Sequence, residues 1–270
     1  MTHKLSKERW IVFTMSDTVA LFEDAAVSSL MDRINELYPG LNITMAEYKN
    51  NPDLKGKARQ DLCDGIEKNF SDRLNGRKLD VDLIYDKRDE RVKNLFETKT
   101  IRAEMTEGII DVLGFLKERS FNLVEISNNS LDNRIHSAIR SCTNDRGEEL
   151  LGMFDMGFDC STEKTPNTAK RLVEEAKARN VAIDDIVVVC RPSNFDNFKR
   201  EGFNNIVVYV GSSPDMKQEA KDRLKERGAI ILHSMQELPD FTLAPSALTE
   251  TRGNLISRFR DTLTTIQLKR

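Results

Sequence analysis

Several short apolar runs along the chain are continuous rather than alternating, which is typical of strands buried on both faces of a parallel sheet. Each run is three to five residues long. The runs are Trp10–Phe13, Asn122–Ile126, Ile186–Val189, Ile206–Val210 and Ile230–Leu232.

Segments with helical periodicity lie between these runs. Residues 106–119 and 168–179 each place apolar side chains on one face, and Asn167 or Thr168 is a suitable N-cap for the second segment. Alternation of strands and helices predicts an α/β fold with a doubly wound, Rossmann-like parallel sheet. Ligands of such sheets bind at the carboxyl ends of the strands.

Residues 25–100 interrupt this alternation with polar, charge-rich helical patterns and few strand signals. We therefore expect a helical cap inserted after the first strand, with residues 1–24 and 101–245 forming the core. A separate helical domain is the alternative interpretation. The tail, residues 246–270, has the pattern of an amphipathic helix beyond the last strand, which either packs on the core or contacts a partner.

Composition narrows the classes of function. The chain has 270 residues and a net charge of −3, so no strong positive field favours nucleic acid. No apolar run approaches the length that spans a membrane, and the first ten residues lack the apolar core of a signal peptide. The four cysteines are scattered without metal-type spacing. These features predict a reduced, cytoplasmic protein that binds neither nucleic acid nor membrane.

The order of several short motifs resembles the haloacid dehalogenase-like hydrolase superfamily. The first strand runs into "IVFTMSDT", a later strand gives "LVEISNNS" with Ser127 at its end, and Lys164 precedes Thr-Pro and a helix in "EKTPNTAKRLVEE". A further strand gives "VVVCRPSNFDNF", and "GAIILHSMQELPDF" resembles the last strand and turn of that family. The resemblance covers residues 10–241 and implies the fold predicted above, including a cap.

The same resemblance implies that most catalytic positions are altered. The nucleophilic Asp of the family maps to Thr14, and its acid–base Asp maps to Ser16. The Gly that follows maps to Asp17, and the Gly-Asp pair of the later motif maps to Cys190 and Arg191. Thr18 fits the first motif, and beyond that motif only Ser127 and Lys164 match the family in kind.

These replacements remove what the chemistry of the family needs. Phosphoryl transfer in the family uses a carboxylate nucleophile and a second carboxyl group that protonates the leaving group. Magnesium is bound through oxygen ligands, chiefly carboxylates, and an arginine stays protonated. Two positive charges 4 Å apart repel by about 4 kcal/mol at an effective dielectric of 20. With Thr14, Ser16 and Arg191 in place, we expect weak or absent magnesium binding and no cofactor.

Two acidic residues leave alternatives open. Asp17 could serve as the nucleophile after a one-residue shift, or it could be a turn residue that caps the next segment. Asp196 could replace a lost acid of the later motif, or it could be a helix N-cap. Arg191 could pair with either of them as a structural substitute for metal and carboxylates. Cys190, on an apolar strand, is expected to be a buried small hydrophobe.

Two functional interpretations follow. The first is a catalytically degenerate protein, or pseudoenzyme, with a metal-free anion site at Ser127, Lys164 and Arg191 for a small anionic or phosphorylated ligand, or with a role in binding a protein partner or a second copy of itself. The alternative is an active metal-independent hydrolase of phosphatase or dehalogenase type that uses Asp17. The sequence favours the first interpretation, because nucleophile, acid and metal ligand are altered together.

Overall fold

The computed structural model describes residues 9–55, 57, 59–160, 167–211, 213 and 216–242. Lys164 and the predicted C-terminal helix at 246–270 lie outside these residues. The described part divides into two compact units. One takes in residues 9–19, 106–128 and the described residues from 149 onward, and the other comprises residues 20–105 and 129–148.

The first unit is built on a six-stranded parallel sheet with the order β5-β4-β1-β6-β7-β8. Its strands are β1 (Trp10–Thr14), β4 (Asn122–Ser127), β5 (Met156–Asp159), β6 (Ile186–Cys190), β7 (Ile206–Tyr209) and β8 (Ile230–Leu232). The predicted doubly wound α/β fold is confirmed. Every predicted strand is present, but β5 was missed.

The helices of this unit lie between successive strands or, in the case of the last one, after β8. They are α7 (Ile109–Glu118), α10 (Thr168–Ala178), α11 (Phe195–Arg200), α12 (Gln218–Glu226) and α13 (Leu238–Thr242), while α9 (Gly147–Leu151) crosses the boundary between the units. Short 3-10 turns occupy Ile183–Asp185, Pro192–Asn194 and Met235–Glu237. Asn167 is the N-cap of α10, since its side chain accepts a hydrogen bond from the Lys170 N–H at 3.1 Å.

The sheet is buried on both faces, as continuous apolar strands require. Trp10 and Val12 of β1 point into a core with Leu172 of α10 and Phe198 of α11. Their alternating neighbours point to the opposite face and are also fully buried. The aromatic rings of this unit meet edge-on or tilted, as for Phe198 and Phe203 with centroids 5.6 Å apart.

The second unit is helical. Its helices are α1 (Glu23–Leu37), α2 (Met45–Asn50), α3 (Arg59–Asn69), α4 (Ser71–Leu74), α5 (Val81–Tyr85), α6 (Arg88–Glu97) and α8 (Ser137–Arg140), and a π-helical turn spans Leu131–His136. They enclose a core of their own, which includes Leu30, Ile34, Tyr48, Cys63, Ile66 and Phe70.

The helical unit differs in extent from the predicted cap at 25–100. It includes residues 129–148, which the sequence had assigned to the core, because the π-helical turn and α8 pack against α6. Its entry and exit strands, β2 (Ala20–Leu21) and β3 (Glu104–Met105), pair antiparallel. No strand signal marked them, since each is only two residues long.

A capping box fixes the start of α2. The Thr44 hydroxyl accepts from the Glu47 N–H, and the Glu47 carboxylate accepts from the Thr44 N–H at 2.9 Å. Arg73 donates to the same carboxylate at 2.8 Å. The hydrogen bond from Arg73, followed by those from Thr44, lowers the pKa of Glu47 to about 2.

This arrangement predicts a stability difference that depends on pH. A carboxylate with a lowered pKa stabilises the fold above its ordinary value of 4.5, and the contribution is lost as the pH falls towards 2. Glu47→Gln should therefore reduce the free energy of unfolding near pH 7 by about 1 kcal/mol, the usual size of a lost helix cap. Urea unfolding at several pH values measures the gap between the two proteins, which should close between pH 5 and pH 2. A gap that stays constant would contradict the assignment.

Candidate functional site

The carboxyl ends of three neighbouring strands define the candidate site. β1 lies between β4 and β6, with Thr14 opposite Ile126 and Phe13 opposite Val189. Thr14, Ser127 and Cys190, the last residues of these strands, therefore lie at one edge of the sheet. This is the edge at which parallel sheets bind their ligands.

The loop after β1 is a tight turn. The Thr18 hydroxyl donates to the Thr14 carbonyl, and the Val19 N–H donates to the Met15 carbonyl at 3.1 Å. Asp17 has a φ of 62°, a left-handed conformation that Asp tolerates better than most residues. Asp17 lies in this turn. The Met15 N–H donates a hydrogen bond to the Ile126 carbonyl at 3.3 Å.

Asp17 forms an ion pair with Arg191 across this edge. The Arg191 Nη1 donates to Asp17 Oδ2 at 2.9 Å, and the two side chains are 29% and 22% exposed respectively. Of the two partners that the sequence left open for Arg191, the structure therefore selects Asp17. A charge-assisted hydrogen bond at partly buried groups is stronger than one between exposed groups.

Asp196 lies elsewhere. It sits in the first turn of α11, and its carboxylate pairs with Arg227 on the surface, where both side chains are more than half exposed. The N-cap of α11 is Asn194, so the N-cap interpretation of Asp196 is wrong. The pairing with Arg227 joins residues 31 positions apart, so no local sequence pattern marks it.

Thr14 has a hydroxyl that the protein leaves unsatisfied. The residue is 4% exposed, and within the described part of the chain its Oγ1 is buried without a hydrogen-bond partner. An unmet buried hydroxyl costs about 1–3 kcal/mol relative to a satisfied one. It therefore marks a place where a polar group of a ligand or a water molecule would be stabilised.

Cys190 is part of the hydrophobic core, as predicted. Its side chain is fully buried beside Val188 and Val208, and burial raises the pKa of the thiol far above its ordinary value. A thiol in that state is not a nucleophile, since the thiolate is the reactive form.

The sequence analysis did not predict one carboxylate at this edge of the sheet. Asp159 ends β5 and is the register partner of Ser127, and the Cys160 N–H donates to the Ser127 carbonyl at 3.0 Å. The signal was weak because β5 is four residues long, contains Gly157 and is only partly buried. Asp159 adds an acidic group next to Ser127 that the predicted anion site did not include.

Comparison with known proteins identifies the architecture. No family model and no curated protein sequence matches the chain. Solved structures do match along nearly their whole length. A haloacid dehalogenase-like protein of unknown function from Agrobacterium tumefaciens has 16% identity and a TM-score of 0.62, and the match covers 88% of this chain and 98% of that one.

Two further solved structures match the chain to a similar extent. CbbY from Rhodobacter sphaeroides, solved with phosphate, has 18% identity and a TM-score of 0.61 over 86% of this chain and 96% of that one. A haloacid dehalogenase-like family hydrolase from Streptococcus pneumoniae has 14% identity and a TM-score of 0.59 over 87% and 98%. The chain has a haloacid dehalogenase-like fold. The resemblance read from the sequence motifs is thus confirmed at the level of the fold.

Magnesium, which this fold implies, does not fit the residues present at the strand ends. Thr14 and Ser16 offer neutral hydroxyls, the Asp17 carboxylate is held by Arg191, and Asp159 adds one carboxylate at the end of β5. Across the described ranges, no three side chains among His, Cys, Asp and Glu form a group suited to a metal ion. Hard cations prefer several carboxylate or carbonyl oxygens, and a guanidinium in their midst opposes binding.

None of the described helices is both long and apolar enough to cross a lipid bilayer.

The ion pair at the strand ends predicts measurable coupling. In a double-mutant cycle of Asp17→Asn and Arg191→Met, we expect a coupling energy of about 1–2 kcal/mol in urea unfolding, because the pair is partly buried. Asp196→Asn and Arg227→Met form the matched control, an Arg–Asp pair on the surface whose coupling should stay below about 1 kcal/mol. Equal couplings in the two cycles would show that the Asp17–Arg191 pair is only another surface contact.

Proposed function

We propose that this chain is a catalytically degenerate haloacid dehalogenase-fold protein, in which the strand ends no longer hydrolyse phosphate esters and instead bind a small anion without a metal. The single observation that carries the proposal is the Asp17–Arg191 ion pair. It sets an arginine, whose charge Asp17 balances, where the family resemblance implies a metal ligand, and it occupies the acidic side chain that could have acted as nucleophile.

The donors at the strand ends favour an anion. Arg191 has five N–H donors in a fixed fork, so a guanidinium can hold Asp17 and an oxyanion at once. The unsatisfied Thr14 hydroxyl adds a donor, and Ser127 and Lys164 complete the proposed set. CbbY, which shares the fold, was crystallised with phosphate and, as a mutant, with xylulose 1,5-bisphosphate. A phosphorylated small molecule is therefore the ligand class that we propose.

The second binding role that we propose is contact with a protein partner or with a second copy of the chain. This role takes precedence if the strand ends bind no anion, and the contact surface would then be sought on the helical unit or the C-terminal segment. The alternative enzyme, a metal-independent hydrolase using Asp17, requires Asp17 to leave Arg191 before it can attack a substrate. An ionised carboxylate held by a guanidinium is a poorer nucleophile, because its charge is stabilised in the ground state.

We expect no catalytic turnover. Incubation with p-nitrophenyl phosphate and a panel of phosphorylated metabolites, with and without magnesium, should release phosphate no faster than buffer. Hydrolysis that Asp17→Asn abolishes and Asp196→Asn preserves would instead establish the alternative enzyme. A double substitution, Thr14→Asp with Arg191→Asp, is the positive reference for metal binding: magnesium should raise its melting temperature and leave that of the unaltered protein unchanged.

Anion binding has its own test. Calorimetry with phosphate, sulfate and phosphorylated sugars should give dissociation constants in the millimolar to micromolar range, since two charge-assisted hydrogen bonds contribute about 1.5–3 kcal/mol each. Arg191→Ala and Lys164→Ala should each weaken the affinity at least tenfold, while Arg227→Ala, which removes a surface arginine, should not. If neither strand-end substitution changes any affinity, the anion proposal fails and the partner-binding role remains.

A further inference from the structure

A second cationic site lies within the helical unit. We name four arginines from α1, α3 and α6 the arginine cluster. Arg59 and Arg88 lie over the ring of Tyr85, the last residue of α5, while Arg91 contacts the main chain at the end of α5 and is repelled by Arg33. The guanidinium carbons of Arg59 and Arg88 lie 5.9 and 5.3 Å from the centroid of the Tyr85 ring. Burial, together with repulsion from Arg33 and Arg88, lowers the pKa of Arg91.

Part of this charge is neutralised within the unit. Arg33 pairs at 2.9 Å with Glu36, which is 68% exposed. Arg91 donates to the main-chain carbonyls of Ile84, at 3.0 Å, and Asp86. Arg91 therefore has a structural role, since it satisfies carbonyl groups at the end of α5 that have no helical partner.

Arg59 and Arg88 have no carboxylate partner among the described residues. Within the described residues, neither Arg59 nor Arg88 has an acidic side chain within 4.0 Å, and both are held against the Tyr85 ring instead. Cation–π contacts position a guanidinium but do not neutralise it. Like charges in such a cluster repel one another; Asp86 and Glu36 offset part of this repulsion at Arg91, and a bound anion would offset more.

Two donors of the cluster are also unsatisfied. The Nε atoms of Arg33 and Arg88 are buried, and neither has a hydrogen-bond acceptor in the part of the chain that the structure describes. Buried polar groups without partners are rare in native proteins and call for a specific explanation. Here the Nε–H is one arm of the fork with which an arginine grips a carboxylate or phosphate.

We propose that the arginine cluster binds a small molecule that carries a phosphate group. Arg88 and Arg59 supply the charge that no carboxylate meets, the buried Nε–H groups of Arg88 and Arg33 supply donors that lack acceptors, and Tyr85 holds two of the guanidiniums in place. A long polyanion is a poorer fit, because the patch is confined to one end of α5 and the chain as a whole carries a net charge of −3.

The proposal is independent of the strand-end function, since the two sites share no residue. Calorimetric titration with inorganic phosphate and pyrophosphate at constant ionic strength tests it. Arg88→Gln should weaken pyrophosphate binding by about tenfold or more. Arg73→Gln is the matched control, because Arg73 also stacks on an aromatic ring, at 4.8 Å from Phe70, but is paired with Glu47.

Further variants separate the outcomes. Arg88→Lys keeps the charge but loses the fork, so it should lose most of the affinity and also guards against misfolding of Arg88→Gln, with circular dichroism reporting the helical content. Equal loss in Arg73→Gln would overturn the proposal as unspecific electrostatics. Loss in Arg191→Gln alone would overturn it in favour of the strand-end site, and failure of the unaltered protein to bind either anion would overturn it outright.

Discussion

The position of β1 constrains everything else at the sheet. This strand is hydrogen-bonded on both edges, to β4 and β6, and is buried on both faces, so every residue from Trp10 to Phe13 must be apolar. A charged side chain on such a strand would cost several kcal/mol of desolvation. Polar side chains are first tolerated at the end of the strand, and they occur there in the turn from Thr14 to Thr18.

At that edge, an acidic and a basic side chain pair with each other. A carboxylate at the end of one strand and a guanidinium at the end of its neighbour neutralise each other at 2.9 Å, and no ion is needed to hold them. The pairing has a thermodynamic consequence. A bound ligand contributes stability only at concentrations that fill its site, whereas the Asp17–Arg191 pair contributes in every molecule and weakens with added salt instead.

How far the sequence predicts the structure depends on how far apart along the chain the interacting residues lie. Strand ends of a parallel sheet meet by geometry, so the gathering of Thr14, Ser127 and Arg191 follows from the strands alone. The Asp17–Arg191 pair could be named only as one of two alternatives, because a pairing over 174 positions leaves no local pattern. The arginine cluster was not foreseen for the same reason: its members come from three helices, each of which looks solvated by itself.

The paired strands β2 and β3 make the helical segment between them a closed loop. Ala20 and Met105 are directly opposite each other, so the chain returns to its point of departure after the excursion through α1 to α6. A segment with adjacent ends can be lengthened, shortened or exchanged without moving the strands on either side, which is the geometry that tolerates insertion. In this protein the tolerance of such changes is reduced. The π-helical turn and α8 come from a later part of the chain and pack on α6, so removing the loop would strip two further helical elements of their partner.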